Sequence, residues 1–393
     1  MSQDSVVIVG AARTPMGGMM GSLSTVRSPL LGAAAIRAAV ERAGLQPGDI
    51  DEVVMGCVLP AGLGQAPARQ AALGAEIPVS AGCTTVNKMC GSGMKAVMLA
   101  HDQILAGSAR ILVAGGMENM SQAPYLLPKA REGMRMGHGQ VIDHMFCDGL
   151  EDAYKGGLMG TFAQQAADRF EVSREAMDDY AIASLEKALA AIESGAFADE
   201  IAPVRVASRA GETLVDTDEQ PGKAQPEKIR SLRPAFAKDG SVTAANSSSI
   251  SDGGSALVLM AGSEAQQRGL QPLARVVAHS THAQLPEEFT IAPIGAIEKV
   301  LAKAGWQRDE VDLFEINEAF AVVTMLAIRE LGLDPDRVNV HGGACALGHP
   351  IGSSGSRILV TLLHALKQRG LKKGVASLCI GGGEATAVAV ELL

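Results

Sequence analysis

The feature that most constrains this chain is an internal repeat. Residues 41–58 (ERAGLQPGDIDEVVMGCV) lie over residues 302–319 (AKAGWQRDEVDLFEINEA), with Ala43-Gly44 on Ala304-Gly305. Farther on, Cys90-Gly-Ser-Gly93 lies over Gly352-Ser-Ser-Gly355, and residues 107–116 (GSARILVAGG) lie over 374–383 (GVASLCIGGG). Three segments that keep their order and nearly their register imply two halves with one shared fold, related by a pseudo-twofold. The first half alternates short apolar strands with helices. It reads as a strand at Val6-Val7-Ile8-Val9, a helix over 31–43 stopped by Gly44, and a strand over 52–58. A helix over 66–73, a strand over 83–86, a helix after Cys90 and a strand over 110–116 follow. That spacing predicts an α/β chain with βαβαβ-type halves and a largely parallel sheet covered on both faces.

The repeat also exposes an insertion. In the second half Gly381-Gly382-Gly383 runs straight into a final strand over 385–392, whereas the comparable first-half strand, 255–260, is delayed. Residues 120–249 therefore have no counterpart and form an inserted loop domain, with one clear helix over 174–191. The organisation expected is 1–119 plus 250–270 as one half, 120–249 as the insertion, and 271–393 as the other half. Large loops carried on a rigid scaffold tend to bind something.

Composition narrows the function classes. Hydrophobic residues make up 47% and aromatics only 3%, so the core must be built from Ala, Val, Leu, Ile and Met. A net charge of −9 without a basic stripe argues against a nucleic-acid binder. No apolar run approaches the length of a membrane span, and no membrane partner is expected. The early strand at Val6 leaves no room for a signal or transit peptide. The six cysteines (57, 83, 90, 147, 345 and 379) follow no disulfide rhythm, which points to a reduced, cytoplasmic compartment.

Chemistry concentrates in four clusters. Cys90 sits between a polar turn and an apolar helix, where unpaired N–H groups and the helix dipole are expected to favour its thiolate. Gly91-Ser92-Gly93 beside it allows close backbone approach. The second half offers Asn317-Glu318-Ala319-Phe320 after a strand, His341 to Pro350 with His349 before a helix, and Cys379-Ile380-Gly381 at the end of another strand. The repeat maps the last two to the same end of the fold as Cys90. A thiolate, an imidazole, a second thiol and glycine-freed N–H groups in one cleft would equip the chain for acyl transfer with a carbanion step. Cys57, Cys83 and Cys147 read as structural, and His138 and His144 as solvated or packing residues. Cys345 lies four before His349 but lacks a second ligand pair, so no metal is expected.

VNKMCGSGMKA (86–96), NEAF (317–320), GGACALGHPIGSSG (342–355) and CIGGG (379–383), in that order, closely resemble the thiolase family across essentially all 393 residues. The resemblance implies the duplicated thiolase fold and a ping-pong thioester Claisen reaction that makes or cleaves acetoacetyl-CoA. It implies that Cys90 carries the acyl group and that His349 takes the Cys90 proton. Cys379 would exchange a proton with the methyl of acetyl-CoA. Asn317, through a water, would join His349 on the enolate oxygen. The N–H groups of Cys90 and Gly381 would hold the tetrahedral intermediate.

The same resemblance places Leu150, Met159, Phe236, Ser248 and Phe320 along the pantetheine and acyl channel. The substrates and partners would be acetyl-CoA, acetoacetyl-CoA and CoA, with no metal or organic cofactor. Region 126–144 resembles the loop that joins dimers into tetramers, which implies a homotetramer. Two departures stand out. Leu158-Met159-Gly160 replaces the His-Met-Gly usual in acetoacetyl-type members, and Gln220-Pro221 stands where an arginine often meets the nucleotide. That leaves Lys223, Lys228, Arg230 or another cation for the phosphates. The alternatives are a broad-chain 3-ketoacyl-CoA thiolase, a decarboxylating condensing enzyme (which would lack Cys379), and a non-catalytic acyl- or lipid-binding relative.

Overall fold

The computed structural model describes residues 4–209 and 211–393. In chain order the elements that build the scaffold are strand β1 (Val6–Arg13), helix α1 (Ser28–Arg42), β2 (Glu52–Gly56), α2 (Pro67–Gly74), β3 (Gly82–Val86), α3 (Ser92–Leu105) and β4 (Ile111–Asn119). The insertion contributes α4 (Met159–Arg169) and α5 (Arg174–Glu193). Then come β5 (Ser251–Ala261), β6 (Ala274–Ala283), α6 (Ala292–Ala304), β7 (Leu313–Ile316), α7 (Ala321–Leu331), α8 (Ile351–Arg369), β8 (Lys373–Ile380) and β9 (Glu384–Leu392).

The strands join in the order β7-β8-β9-β6-β1-β5-β4-β2-β3, with the two-residue strand Gly17–Gly18 beside β5. The order is nearly palindromic: β2-β4-β5-β1 in one half mirrors β7-β8-β9-β6 in the other. The halves meet where β1 and β6 pair antiparallel through Val7 with Arg275 and Ile8 with Ala274. The duplication inferred from the repeat is therefore the architecture observed. The expectation of a largely parallel sheet is not met. Only β2–β3, β2–β4 and β7–β8 are parallel among these strands, and the other neighbours run antiparallel. The reason is local: Gly381-Gly382-Gly383 turns β8 directly back into β9, with φ of 91° and 86° at Gly382 and Gly383.

Layering follows from which faces are apolar. α1 and α2 pack on the outer face of the first half through Ile36, Ala39, Val40 and Ala71 against Val53, Val113 and Val258. α6 and α7 cover the second half through Ile297, Val300 and Ala327 against Phe314, Val375 and Ala387. Between the halves lie α3 and α8, whose Met94, Val97, Ile358 and Leu362 share one core with Ile8, Leu257, Leu378 and Val388. α8 is buried along Ile351 to Leu366, as a helix enclosed between the two halves of the sheet must be. Its N-terminus and that of α3 lie side by side: a Cβ on Gly93 would fall 2.8 Å from the Ser356 nitrogen. Glycine there lets the two helix starts touch.

The inserted loops are clamped to this scaffold by Arg13 at the end of β1. Its guanidinium pairs in a bidentate manner with Asp218 (2.7 and 2.8 Å) and with Glu200 (2.5 Å), all three buried. Helix α4 lies in a stretch that sequence patterning leaves as loop. Gly160 in its first turn weakens the helical signal, but Phe236 packs where a side chain would stand, 2.2 Å from the would-be Cβ.

Candidate active site

The turn bearing Cys90 is locked by its own neighbours. Asn87 Oδ1 accepts the Met89 N–H (2.9 Å), and Ser92 Oγ accepts the Lys88 N–H (2.8 Å) while donating to Met89 O (2.6 Å). Met89 is held at φ 47°, a conformation unusual for a residue with a side chain. The N–H groups of Gly91 and Ser92 are spent inside the turn on Lys88 O and Met89 O. The helix proper begins at Ser92, so its free N–H groups do not converge on the sulfur. What reaches Cys90 Sγ is its own N–H and that of Gly381.

Burial outweighs those two bonds and pushes the Cys90 thiol up to about 11. The expectation that the helix start alone favours a thiolate is thus corrected: in the free protein Cys90 is a neutral thiol. Cys379, buried at the end of β8, is raised well above its ordinary value. Burial is the larger cause and the neighbouring charge of Cys90 the second. The two thiols, one from each half, are therefore neighbours.

His349 is positioned by a glycine that no other residue could replace. Gly348 has φ 105°, and a Cβ there would lie 2.1 Å from Ser251 Oγ. The His349 N–H then donates to Ser249 O (3.1 Å), and the ring is buried. Its Nδ1 is 2.5 Å from Ser354 Oγ, which also lies 3.0 Å from Pro350 O. Where the hydroxyl donates to Pro350 O it accepts from the imidazole, and Nδ1 then carries the proton and Nε2 a lone pair. Nε2 is buried and has no hydrogen-bond partner in the protein. Burial first, and the Arg357 charge second, hold the ring neutral down to about 3. Asn317, just past β7, stands with Nδ2 at 3.5 Å from the same Nδ1. Ile351, two residues beyond His349, packs in one cluster with Cys90, Met89 and Leu150.

The remaining predicted residues surround this centre. Met159, Phe236 and Phe320 share a cluster with Cys379, and the rings of Phe236 and Phe320 meet edge to face at 6.1 Å. Ser248 donates both its N–H and its hydroxyl to Ala319 O, each at 3.0 Å, which ties the inserted loop to the Asn317–Phe320 turn. A cleft of about 330 Å³ runs beside these loops, lined by Lys223, Lys228, Ser249 and Cys345 among others. Lys223 pairs with Glu219 and Arg230 with Asp179, whereas Lys228 makes no ion pair among the described residues. Cys345 and His349 belong to no cluster of three potential metal ligands among the described residues.

Two apposed thiols, a neutral imidazole with a free lone pair and a backbone N–H aimed at sulfur are the parts that acyl transfer requires. Comparison with known proteins agrees. Residues 6–263 match the family described as thiolase, N-terminal domain, and residues 270–392 match thiolase, C-terminal domain. This chain belongs to the thiolase family. Among similar proteins, acetyl-CoA acetyltransferase 2 of Arabidopsis thaliana is 54% identical, covering 99% of this chain and 97% of its own. The acetyl-CoA acetyltransferase of Pseudomonas aeruginosa is 51% identical over 98% of each. The crystal structure of the Bacillus anthracis acetyl-CoA acetyltransferase superposes with a TM-score of 0.97 at 43% identity, covering 100% of this chain and 99% of its own.

Within this thiolase, sequence patterning missed two buried carboxylates and the Ser354 hydroxyl. Glu118, at the end of β4, accepts the N–H groups of Val58 (2.9 Å), Leu59 (3.1 Å) and Gly352 (2.9 Å), binding a first-half loop to the start of α8. Burial pushes it up to about 7 against the pull of those three bonds. Glu318 accepts from Tyr180, Ser184, Asn339 and the Cys345 N–H, and so fixes the Asn317 turn to the loop before His349. The available signal was an acid placed directly after an apolar strand, where a buried charge needs a reason.

Proposed function

We propose that this thiolase is an acetyl-CoA acetyltransferase, catalysing the reversible condensation of two acetyl-CoA to acetoacetyl-CoA and CoA. The observation that carries the reading is the apposition of Cys90 and Cys379 with the Gly381 N–H on the Cys90 sulfur. The name shared by full-length relatives at about half identity supports it.

In the first half-reaction Cys90 Sγ attacks the thioester carbon while its proton passes to His349 Nε2. The N–H groups of Cys90 and Gly381 hold the oxyanion, and CoA leaves as the thiol with the proton from His349. Acylation turns Cys90 into a thioester that cannot ionise, so no thiolate of Cys90 can then oppose ionisation of Cys379. Cys379, once its own proton has passed to solvent, takes a proton from the methyl of a second acetyl-CoA, with Asn317 and His349 at the enolate oxygen. The carbanion attacks the acetyl group and expels Cys90 as a thiolate, which takes up a proton from solvent and closes a ping-pong cycle. No metal or organic cofactor has a part in this scheme.

Leu150, Met159, Phe236, Ser248 and Phe320 line the channel for acyl and pantetheine groups in this reading. Lys228, the unpaired one of the three cations, meets the CoA phosphates. We further infer a homotetramer joined through residues 126–144, a reading supported by the exposure of Tyr125, Leu127, Met134, Met136 and Val141. A cytoplasmic setting suits six free cysteines.

The test is CoA-dependent cleavage of 3-ketoacyl-CoA substrates of four, six, eight and ten carbons, with mass spectrometry of Cys90. Activity that stops after four carbons, with an acetyl adduct on Cys90, is expected. Comparable rates through ten carbons would instead make it a broad 3-ketoacyl-CoA thiolase, with Leu158 widening the pocket. An unmodified Cys90 with no cleavage of any substrate would end the enzymatic reading.

A further inference from the structure

About 15 Å along α3 from its start, where that helix ends, two histidines and an aspartate from both halves meet. His101 and Asp102 lie near the C-terminus of α3, and His279 lies on β6. Asp102 Oδ1 stands 3.0 Å from His101 Nδ1 and 2.8 Å from His279 Nε2. The rings meet edge to face, with centroids 4.9 Å apart. The imidazoles are largely covered, at 13% and 16% side-chain exposure, while Asp102 is open at 53%. The potential ligand atoms of all three residues lie within 4.8 Å of one another. Nothing in the acyl-transfer scheme uses them.

We propose that His101, Asp102 and His279 form a binding site for a divalent transition metal, zinc by ligand type, that ties α3 of the first half to β6 of the second. Two imidazoles and one carboxylate suit Zn²⁺, whereas Ca²⁺ and Mg²⁺ require oxygen ligands. Zinc bonds of about 2.0–2.2 Å in tetrahedral geometry place donor atoms about 3.4 Å apart. Each histidine nitrogen is now within half an ångström or so of that distance from the shared carboxylate oxygen. Asp102, being exposed, is free to make the adjustment, and the fourth position opens to solvent.

The C-terminal end of α3 adds a favourable dipole for a cation. Lys303 on α6, whose Nζ bonds His279 O at 3.0 Å, is a nearby charge that opposes it. The competing arrangement is a metal-free latch in which Asp102 accepts an N–H from each ring.

The experiment titrates chelator-stripped full-length protein with Zn²⁺ by calorimetry, in a Cys90→Ser/Cys379→Ser background so that the catalytic thiols do not contribute. One ion per chain is expected. The His279→Ala and Asp102→Asn variants are each expected to weaken binding by more than the about 10–100-fold that loss of an outer partner of a metal ligand costs. Co²⁺ should give a visible spectrum without a thiolate charge-transfer band. Should His279→Ala fail to fold, the exposed Asp102→Asn still carries the test. No saturable binding to the parent, binding unchanged in Asp102→Asn, or a thiolate band in the Co²⁺ spectrum would each overturn the proposal.

Discussion

The turn at Cys90 and the strand end at Cys379 present the same functional group in two different settings, and the difference separates their work. Cys90 sits on a locked turn, partly open, with two N–H groups on its sulfur and a thiol pushed up to about 11. Cys379 is fully buried and is raised by burial first and by Cys90 second. The sulfur with two N–H groups is the one that can carry an acyl group and its oxyanion. In the proposed reaction Cys379 is left to move the proton. The sharpest way to break this division is to remove each thiol in turn. Cys90→Ser should lose both the acyl adduct and turnover. Cys379→Ser should still take one acetyl group from acetyl-CoA onto Cys90, seen as a burst of CoA, while condensation falls by about 10²–10⁴-fold. A Cys379→Ser protein that cannot be acylated would show that the roles are not divided this way.

The second contrast is one of charge, and pH tests it. A thiol near 11 beside an imidazole that stays neutral down to about 3 means that no thiolate–imidazolium pair exists before substrate binds. The thiolate fraction of Cys90 then grows with pH, so alkylation by iodoacetamide should accelerate about tenfold per pH unit from pH 7 towards 10. A rate already level below pH 8 would indicate a preformed ion pair and erase the distinction from papain-like sites.

How much of this was visible in the chain depends on what each residue needed. The duplication and the meeting of Cys90 with Cys379 follow from a repeat whose register survives in β2, β4, β7 and β8. The direction of the strands did not follow, because strand–helix alternation describes β2 and β7 but not the β8–β9 hairpin or the long return through β5. Nor did the state of Cys90. A helix start was legible, but that its N–H groups close onto Lys88 and Met89 was not. Ser354 and Glu118 were illegible for a different reason. Their roles exist only between elements hundreds of residues apart or across one turn of a helix whose phase the sequence does not fix.

Ser354 sharpens the His349 side of the comparison. Its hydroxyl lies 2.5 Å from Nδ1 and 3.0 Å from Pro350 O, and so holds that side of the ring. Ser354→Ala leaves a buried N–H without a partner and lets the ring change tautomer. An interaction of this kind is worth about 1–2 kcal/mol, and kcat/KM should fall by about tenfold. A structural role alone would leave the pH profile unmoved. A positioning role shifts it, because the group that receives the Cys90 proton is altered.

The smallest effect belongs to Glu118, which contacts neither thiol yet joins the loop after β2 to the helix that follows His349. Its two influences oppose each other: burial favours the neutral acid, and three N–H bonds favour the carboxylate, with burial winning as far as about 7 from an ordinary 4.5. A folded-state value above the unfolded one means that the native protein binds the proton more tightly. The contribution is therefore complete below about 4.5 and is lost as pH rises through about 7. In Glu118→Gln that pH dependence should vanish. One N–H now faces an amide NH₂, so stability at low pH should drop by about 1–3 kcal/mol. The Tm difference between parent and variant, measured at pH 5 and pH 8, should accordingly be larger at pH 5. The opposite order would mean that the three N–H bonds, not burial, govern Glu118, and that the junction beneath Cys90 and His349 is held by a full negative charge.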